Sequence, residues 1–252
     1  MGQGYPGPEE VSRNRTGQIL AYLRPWVRIG GVKSVRRRRT AWPASWHLPG
    51  RLYDLAFARM FAGLRRRVAR TVERDGLYPW LDLCCGTGDQ LRGVSGESAA
   101  TGGDGLSVGL DLGFGALRYA AARAPGVPFV CGDAAALPFR SQVFRAVSVS
   151  FGLHDKSPET RRAMMAEARR VLAPGGRLVA VDFEPPWDAR SRAGALFTRG
   201  VERLAGGEHY RNGREFLRRG GLRVFLRESG FAEVARRDIA TGSIAVVTAE
   251  MG

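Results

Sequence analysis

The chain is poor in the residues that would mark a secreted or metal-clustered protein. Its 252 residues include three cysteines and three histidines. Cys84 and Cys85 are adjacent and Cys131 stands alone, so no pair has the spacing of a metal knuckle or a disulfide framework. No metal site is expected, and the thiol usage suits a reduced, cytoplasmic protein. Long apolar runs are also lacking. The longest are strand-sized, far short of the roughly 18 residues that a membrane-crossing helix needs. The stretch QILAYLRPWVRIGGV is interrupted by Arg24, Pro25 and Arg28 and makes a poor signal peptide. Acidic residues are scarce as well, with 24 Asp and Glu against 39 Lys and Arg, a net charge of +15. Such an excess draws a protein to anionic partners, although an arginine-rich composition alone produces the same number.

Hydrophobic residues make up 44% of the chain, enough for a sizeable core. They are unevenly placed. Residues 1–50 are broken by Gly and Pro and carry nine Lys or Arg against two Asp or Glu, with the run RRRR at Arg36–Arg39. This segment reads as a basic, flexible extension, and 51–252 as the folded domain. The extension could lie on anionic lipid headgroups at the inner face of a membrane.

From Arg51 the pattern becomes regular. Leu52, Leu55, Ala56, Met60, Phe61 and Leu64 recur at helical spacing, which predicts a helix to about Asp75. WLDLC, LSVGLDL, PFVCGD, RAVSVSF and RLVAVDF read as five buried strands, with helices over Phe114–Arg123 and Pro158–Leu172 between them. Ser157 caps the second of these helices and Pro158 opens it. Further helical material is expected over Arg190–Gly206 and Gly213–Ser229. Two last strands, FAEVARRDI and SIAVVTA, have no long helix between them. The fold class is therefore α/β: a Rossmann-like, doubly wound, mostly parallel seven-stranded sheet with an antiparallel C-terminal edge pair.

Four motifs sit where such a sheet binds ligands. The first is LDLCCGTGD at Leu81–Asp89. Gly86 and Gly88 let backbone approach a ligand, the following helix N-terminus offers N–H groups, and Asp82 at the strand end can hold an amino group. The three-glycine dinucleotide fingerprint is absent, which argues against a dehydrogenase. The second is Asp111, ending the next strand, where a carboxylate can accept both hydroxyls of a ribose. In CGDAAALPF, Asp133 can accept from an adenine amino group and the Ala134 N–H can donate to the ring. The fourth is the run from Ser150 to Phe183, SFGLHDKSPETRRAMMAEARRVLAPGGRLVAVDF.

In this order the four motifs resemble the class I S-adenosylmethionine-dependent methyltransferases. GTGD, GLD, GDAxxLPF, VSFGL, RVLxPGGRL and TGSIAVVTA are most similar to the ubiquinone/menaquinone C-methyltransferase family, which methylates the ring of a prenylated hydroquinone. The resemblance implies S-adenosylmethionine as cofactor, held by Thr87, Asp111, Asp133, Ala134 and Ser150. It also implies a lipid-soluble acceptor met at the membrane surface. Two departures stand out. Cys84 replaces the first glycine of the loop, which a small side chain tolerates if φ is negative there. His154 and Asp155 stand where the family carries Arg-Asn. With an ordinary pKa of about 6.5, His154 suits a general base, and Asp155 could raise that value; His154 filling the pocket wall is the competing reading.

Other methyl acceptors remain open: a phospholipid or another small molecule methylated on N or O. Nucleic acid is disfavoured, because SFGL occupies the place of the D/N-P-P-aromatic tetrapeptide of base N-methyltransferases. The non-enzyme alternative is a catalytically silent S-adenosylmethionine-binding protein; a protein that kept only the fold would have lost the cofactor contacts, and Thr87, Asp111 and Asp133 are intact here.

Overall fold

The computed structural model of the chain describes residues 33–34, 63–92, 105–189, 192 and 207–252. The expected helical segments over 51–62 and 190–206, the loop before Gly105 and almost all of the extension lie outside these residues.

Eight strands form one sheet: β1 (Lys33–Ser34), β2 (Trp80–Leu83), β3 (Ser107–Asp111), β4 (Phe129–Cys131), β5 (Phe144–Ser150), β6 (Leu172–Phe183), β7 (Phe231–Ile239) and β8 (Ile244–Met251). Their order across the sheet is β1-β4-β3-β2-β5-β6-β8-β7. The seven strands read from the sequence are all present. The eighth, two-residue β1 extends the sheet edge by pairing in parallel with β4. Strands β2 to β6 pair in parallel, and β8 lies antiparallel between β6 and β7. The chain reverses at β2, since β3 and β5 both flank it. Brought together there, strand C-termini leave a crevice, the usual ligand position in an open α/β sheet.

Helices cover both faces. Helix α1 is described over 63–74; α2 spans Phe114–Arg123, α3 Pro158–Val171, α4 Gly207–Arg218 and α5 Gly221–Glu228. Strand residues alternate between two apolar clusters, as a pleated strand buried on both sides requires. Leu81, Leu83, Val147, Val149, Leu178 and Ala180 pack with Met164, Met165 and Ala168 of α3 and Leu222 and Leu226 of α5. Trp80, Ala146, Val179 and Val181 pack on the other face with Leu64, Val68 and Val72 of α1 and Leu117 and Ala120 of α2.

Local chemistry sets the boundaries. Ser157 caps α3 by accepting from the Thr160 N–H at 3.2 Å, and Pro158 stands at the first helical position. The helical material expected over Gly213–Ser229 falls in two helices, α4 and α5, and α4 begins earlier, at Gly207. Gly220 and Gly221 take φ of +106° and +66°, and at these values a helix cannot continue.

Candidate active site

Along β4, β3, β2 and β5 the strand C-termini place the sequence-predicted residues side by side. Asp133 and Ala134 follow β4, Asp111 ends β3, Gly86–Gly88 follow β2 and Ser150 ends β5. Four neighbouring strands at about 4.8 Å spacing set a row about 14 Å long. That length suits an extended adenosyl group with an amino-acid arm.

The glycine turn is fixed from two sides. Asp111 Oδ2 accepts from the Gly86 N–H at 2.9 Å, and its Oδ1 accepts from the Gly113 N–H at 2.7 Å. Gly86 has φ +53°, and among the described residues no atom beyond its chain neighbours lies within 4 Å of the place a Cβ would occupy. The missing Cβ of Gly88 instead faces Ala120 Cβ at 2.8 Å and Phe129 Cζ at 2.9 Å, where any larger residue would push α2 and β4 away. Of the helix expected after the turn, a first turn is described: the N–H groups of Leu91 and Arg92 donate to Gly88 O. Thr87 Oγ1 donates to Asp89 Oδ2 at 3.3 Å, and Arg65 Nη1 donates to the same oxygen at 3.0 Å.

Cys84 corrects one sequence expectation. Its φ is +55°, not negative. A side chain in that left-handed region costs roughly 1–2 kcal/mol, and the neighbourhood compensates by giving the thiol room. Gly152 lies against it, where a Cβ would come within 2.9 Å of both Cys84 Cβ and Sγ. Burial pushes the Cys84 thiol up to about 12, which keeps it an uncharged packing group.

Beneath the turn lies a polar network in which Gln90, unremarked in the sequence, is central. Gln90 Nε2 donates to Asp82 Oδ1 at 2.7 Å, and Ser148 Oγ donates to the same oxygen at 2.6 Å. Trp80 Nε1 donates to Ser148 Oγ at 2.7 Å, and Ser150 Oγ donates to Gln90 Oε1 at 2.9 Å. Asp82 is 2% exposed. Burial pushes its carboxyl up to about 7, against the opposing hydrogen bond from Ser148 and the charge of Arg65. Asp133 is exposed, and its Oδ1 accepts from the Ala135 N–H at 2.8 Å. Ala134 is buried at the edge of the core.

His154 lies just beyond β5, and its carboxylate partner is not its neighbour. His154 Nδ1 stands 2.7 Å from Asp182 Oδ1 on β6. Asp155 turns away to pair with Lys156, with His209 Nδ1 3.9 Å from its Oδ2. Burial works to raise the Asp155 carboxyl, but the charges of Lys156, His154 and His209 together hold it below the ordinary carboxylate value. The His154 side chain is 4% exposed. Phe183 lies 4.5 Å from it, ring to ring, and His209 stands edge-on at 5.2 Å. Helix α4 is held over this cluster, since Asn212 Nδ2 donates to Asp155 O at 2.9 Å and Arg161 of α3 pairs with Glu215 at 2.8 Å. Among the described residues no cluster of His, Cys, Asp and Glu could hold a metal ion.

A family model described as a methyltransferase domain matches residues 81–176, from the first strand of the row to the turn inside β6. Over these residues the chain is similar to methyltransferase domains. Demethylmenaquinone methyltransferase of Beutenbergia cavernae is 39% identical over 143 residues, 54% of this chain and 56% of that protein. The ubiquinone/menaquinone biosynthesis C-methyltransferase UbiE of Burkholderia vietnamiensis is 34% identical over 155 residues, 58% and 61% of the two chains. A demethylmenaquinone methyltransferase of Streptomyces griseus aligns over more, 81% of this chain and 88% of that one, at 28% identity. In the first of these comparisons the chain spans little more than half of its relative's length. Among solved structures, a possible histamine N-methyltransferase of Thermotoga maritima superposes with a TM-score of 0.54 at 19% identity, covering 82% of this chain and 99% of that one. The glycopeptide N-methyltransferase MtfA gives 0.51 at 20% identity over 76% and 90%. At these identities the two establish the methyltransferase fold and nothing finer.

Proposed function

We propose that this protein methylates a ring carbon of a prenylated hydroquinone, as a demethylmenaquinol-like acceptor would require. The observation that carries this reading is the juxtaposition of two groups at one sheet edge. The nucleoside-sized row from Asp133 to Ser150 runs directly into the pair of His154, just beyond β5, and Asp182 on β6. The names of the relatives point to the same acceptor class.

S-adenosylmethionine supplies an electrophilic methyl group on a sulfonium. In this reading Asp111 receives the ribose, Asp133 and the Ala134 N–H the adenine, and Thr87 and the Gly86–Gly88 turn the amino-acid arm. Asp82 and Ser150 meet its amino end from below. Holding donor and acceptor in line supplies much of the acceleration. The acceptor carbon needs activating, and His154 does so by taking the proton of the adjacent hydroxyl. The negative charge then spreads onto the ring carbon that accepts the methyl group; that carbon loses its proton to solvent, which restores aromaticity, and His154 returns its proton to the ring oxygen. His154 is covered in part by the rings of Phe183 and His209, so an acceptor reaches it only as its cover gives way. Asp155 acts at one remove, through His209 and the hold on α4.

An acceptor of this kind is dissolved in a bilayer. No helix among the described residues is long and apolar enough to cross one. The reading therefore places the protein in the cytoplasm with peripheral, charge-driven contact at the inner membrane face. The test is quinone and phospholipid profiling of a deletion strain. Accumulation of a demethylated quinone with loss of its methylated form is the expected result. An altered phospholipid profile with normal quinones would replace this reading by phospholipid N-methylation.

A further inference from the structure

Asp182 lies 28 residues from His154 in sequence, and the parallel pairing of Ser150 with Val181 brings the two together. Its carboxylate has no exposed surface and is filled by donors. Oδ2 accepts from the backbone N–H of Leu153 at 3.1 Å and of His154 at 3.2 Å. Oδ1 accepts from the Phe183 N–H at 2.8 Å and faces His154 Nδ1 at 2.7 Å. Three backbone donors fix the orientation of the carboxylate whatever the imidazole does.

We infer that Asp182 is a positioning residue that fixes the tautomer of His154, with the hydrogen on Nδ1 and the lone pair on Nε2. A carboxylate only accepts, so the imidazole nitrogen facing it must be the donor. In a neutral ring the other nitrogen is then the base. This inference rests on the proposed role of His154 in methyl transfer, and it moves the supporting function from Asp155 to Asp182. Among the described residues, the other charged or titratable groups around the ring are Asp155 and Lys156 on its own loop and His209 on α4. None of them contacts Nδ1 at hydrogen-bond distance.

The consequence for an amide is specific. In Asp182→Asn the side-chain oxygen is held by the two N–H groups of Leu153 and His154. The NH₂ group then takes the place of Oδ1, which leaves the Phe183 N–H without its acceptor and turns a donor toward Nδ1, so that Nδ1 becomes an acceptor. The proton moves to Nε2, and the base is lost while the ring stays in place.

The experiment is long-range ¹H–¹⁵N spectroscopy of the histidine-labelled full chain, with the three histidines assigned by single His→Gln variants. Wild type is expected to show His154 with hydrogen on Nδ1. Asp182→Asn is expected to show it on Nε2, and Asp155→Asn to leave it unchanged. With a hydroquinone acceptor, kcat of Asp182→Asn is expected to fall roughly 10²–10⁴-fold, the range of general base catalysis, at unchanged cofactor affinity. A wild-type His154 carrying its hydrogen on Nε2 would overturn the inference, and this holds even if Asp182→Asn fails to fold. A tautomer that responds to Asp155→Asn and not to Asp182→Asn would overturn it too. Absence of hydroquinone methylation in wild type would instead overturn the proposed function, and the spectra would still decide this inference.

Discussion

The left-handed backbone of Cys84 and the missing side chain of Gly152 form one arrangement, because the Cys84 side chain fills the space a residue at 152 would need. Gly152→Ala would place its Cβ within 2.9 Å of Cys84 Cβ and Sγ and at 3.0 Å from Val149 Cγ2. Overpacking of this kind costs about 1–3 kcal/mol. Cys84→Gly removes both the strain and the obstacle, so the double variant should be more stable than Gly152→Ala alone. Chemical denaturation of the four proteins gives the coupling. Additive effects would show that the two positions do not share this space.

Asp82 should leave a mark on stability against pH. In the folded protein it keeps its proton to about pH 7, against an ordinary value of 3.8. Between these values the folded state binds more protons than the unfolded state, so stability falls as pH rises through the window. Below it both states are protonated, and above it both are charged. Asp82→Asn keeps an acceptor for Gln90 and Ser148 but does not titrate. Its stability relative to wild type should rise from pH 4 to 7, by at most about 1.4 kcal/mol per unit. Parallel curves from thermal melts across that range would refute the assignment.

Asp111 is expected to serve both the loop and the ligand. Asp111→Ala removes the acceptor of the Gly86 and Gly113 N–H groups, together with the two hydrogen bonds proposed to the ribose. Hydrogen bonds to a charged group contribute roughly 1.5–3 kcal/mol each. Isothermal titration with S-adenosylmethionine should therefore show affinity at least 10-fold weaker. Unchanged affinity would remove Asp111 from the ribose site.

Much of this was legible in the sequence because the signals are local. Strand-length apolar runs identify all seven long strands, and Phe114–Arg123 is predicted and found to the residue. The cap Ser157 with Pro158 fixes the start of α3, whose last residue is Val171, one before the expected end. What escaped was non-local. Asp182 is the last acid of RLVAVDF, a visible residue with no visible partner, because the contact depends on the register of β5 and β6. Asp155 is adjacent to His154 in sequence, but neighbouring side chains diverge. Gln90 and His209 are likewise polar residues whose roles come only from packing. The glycine pair at 220–221 did carry a local signal for the break between α4 and α5.

Charge should govern membrane contact. With a net charge of +15, the protein is expected to sediment with anionic vesicles at low salt and to be released at high salt, since exposed charges are screened. Replacement of Arg36–Arg39 by serine should weaken the association and leave cofactor binding intact. Equal binding to neutral and anionic vesicles would contradict an electrostatic attachment.

The most direct measurement is methyl transfer by the purified full chain, given S-adenosylmethionine and a reduced demethylmenaquinone, with the product analysed by mass spectrometry and NMR. The account predicts one methyl group added at a ring carbon. It also predicts that His154→Ala binds the cofactor as wild type does but turns over roughly 10²–10⁴-fold more slowly. Methylation at oxygen, no methylation of the quinol, or a His154→Ala enzyme as fast as wild type would contradict it.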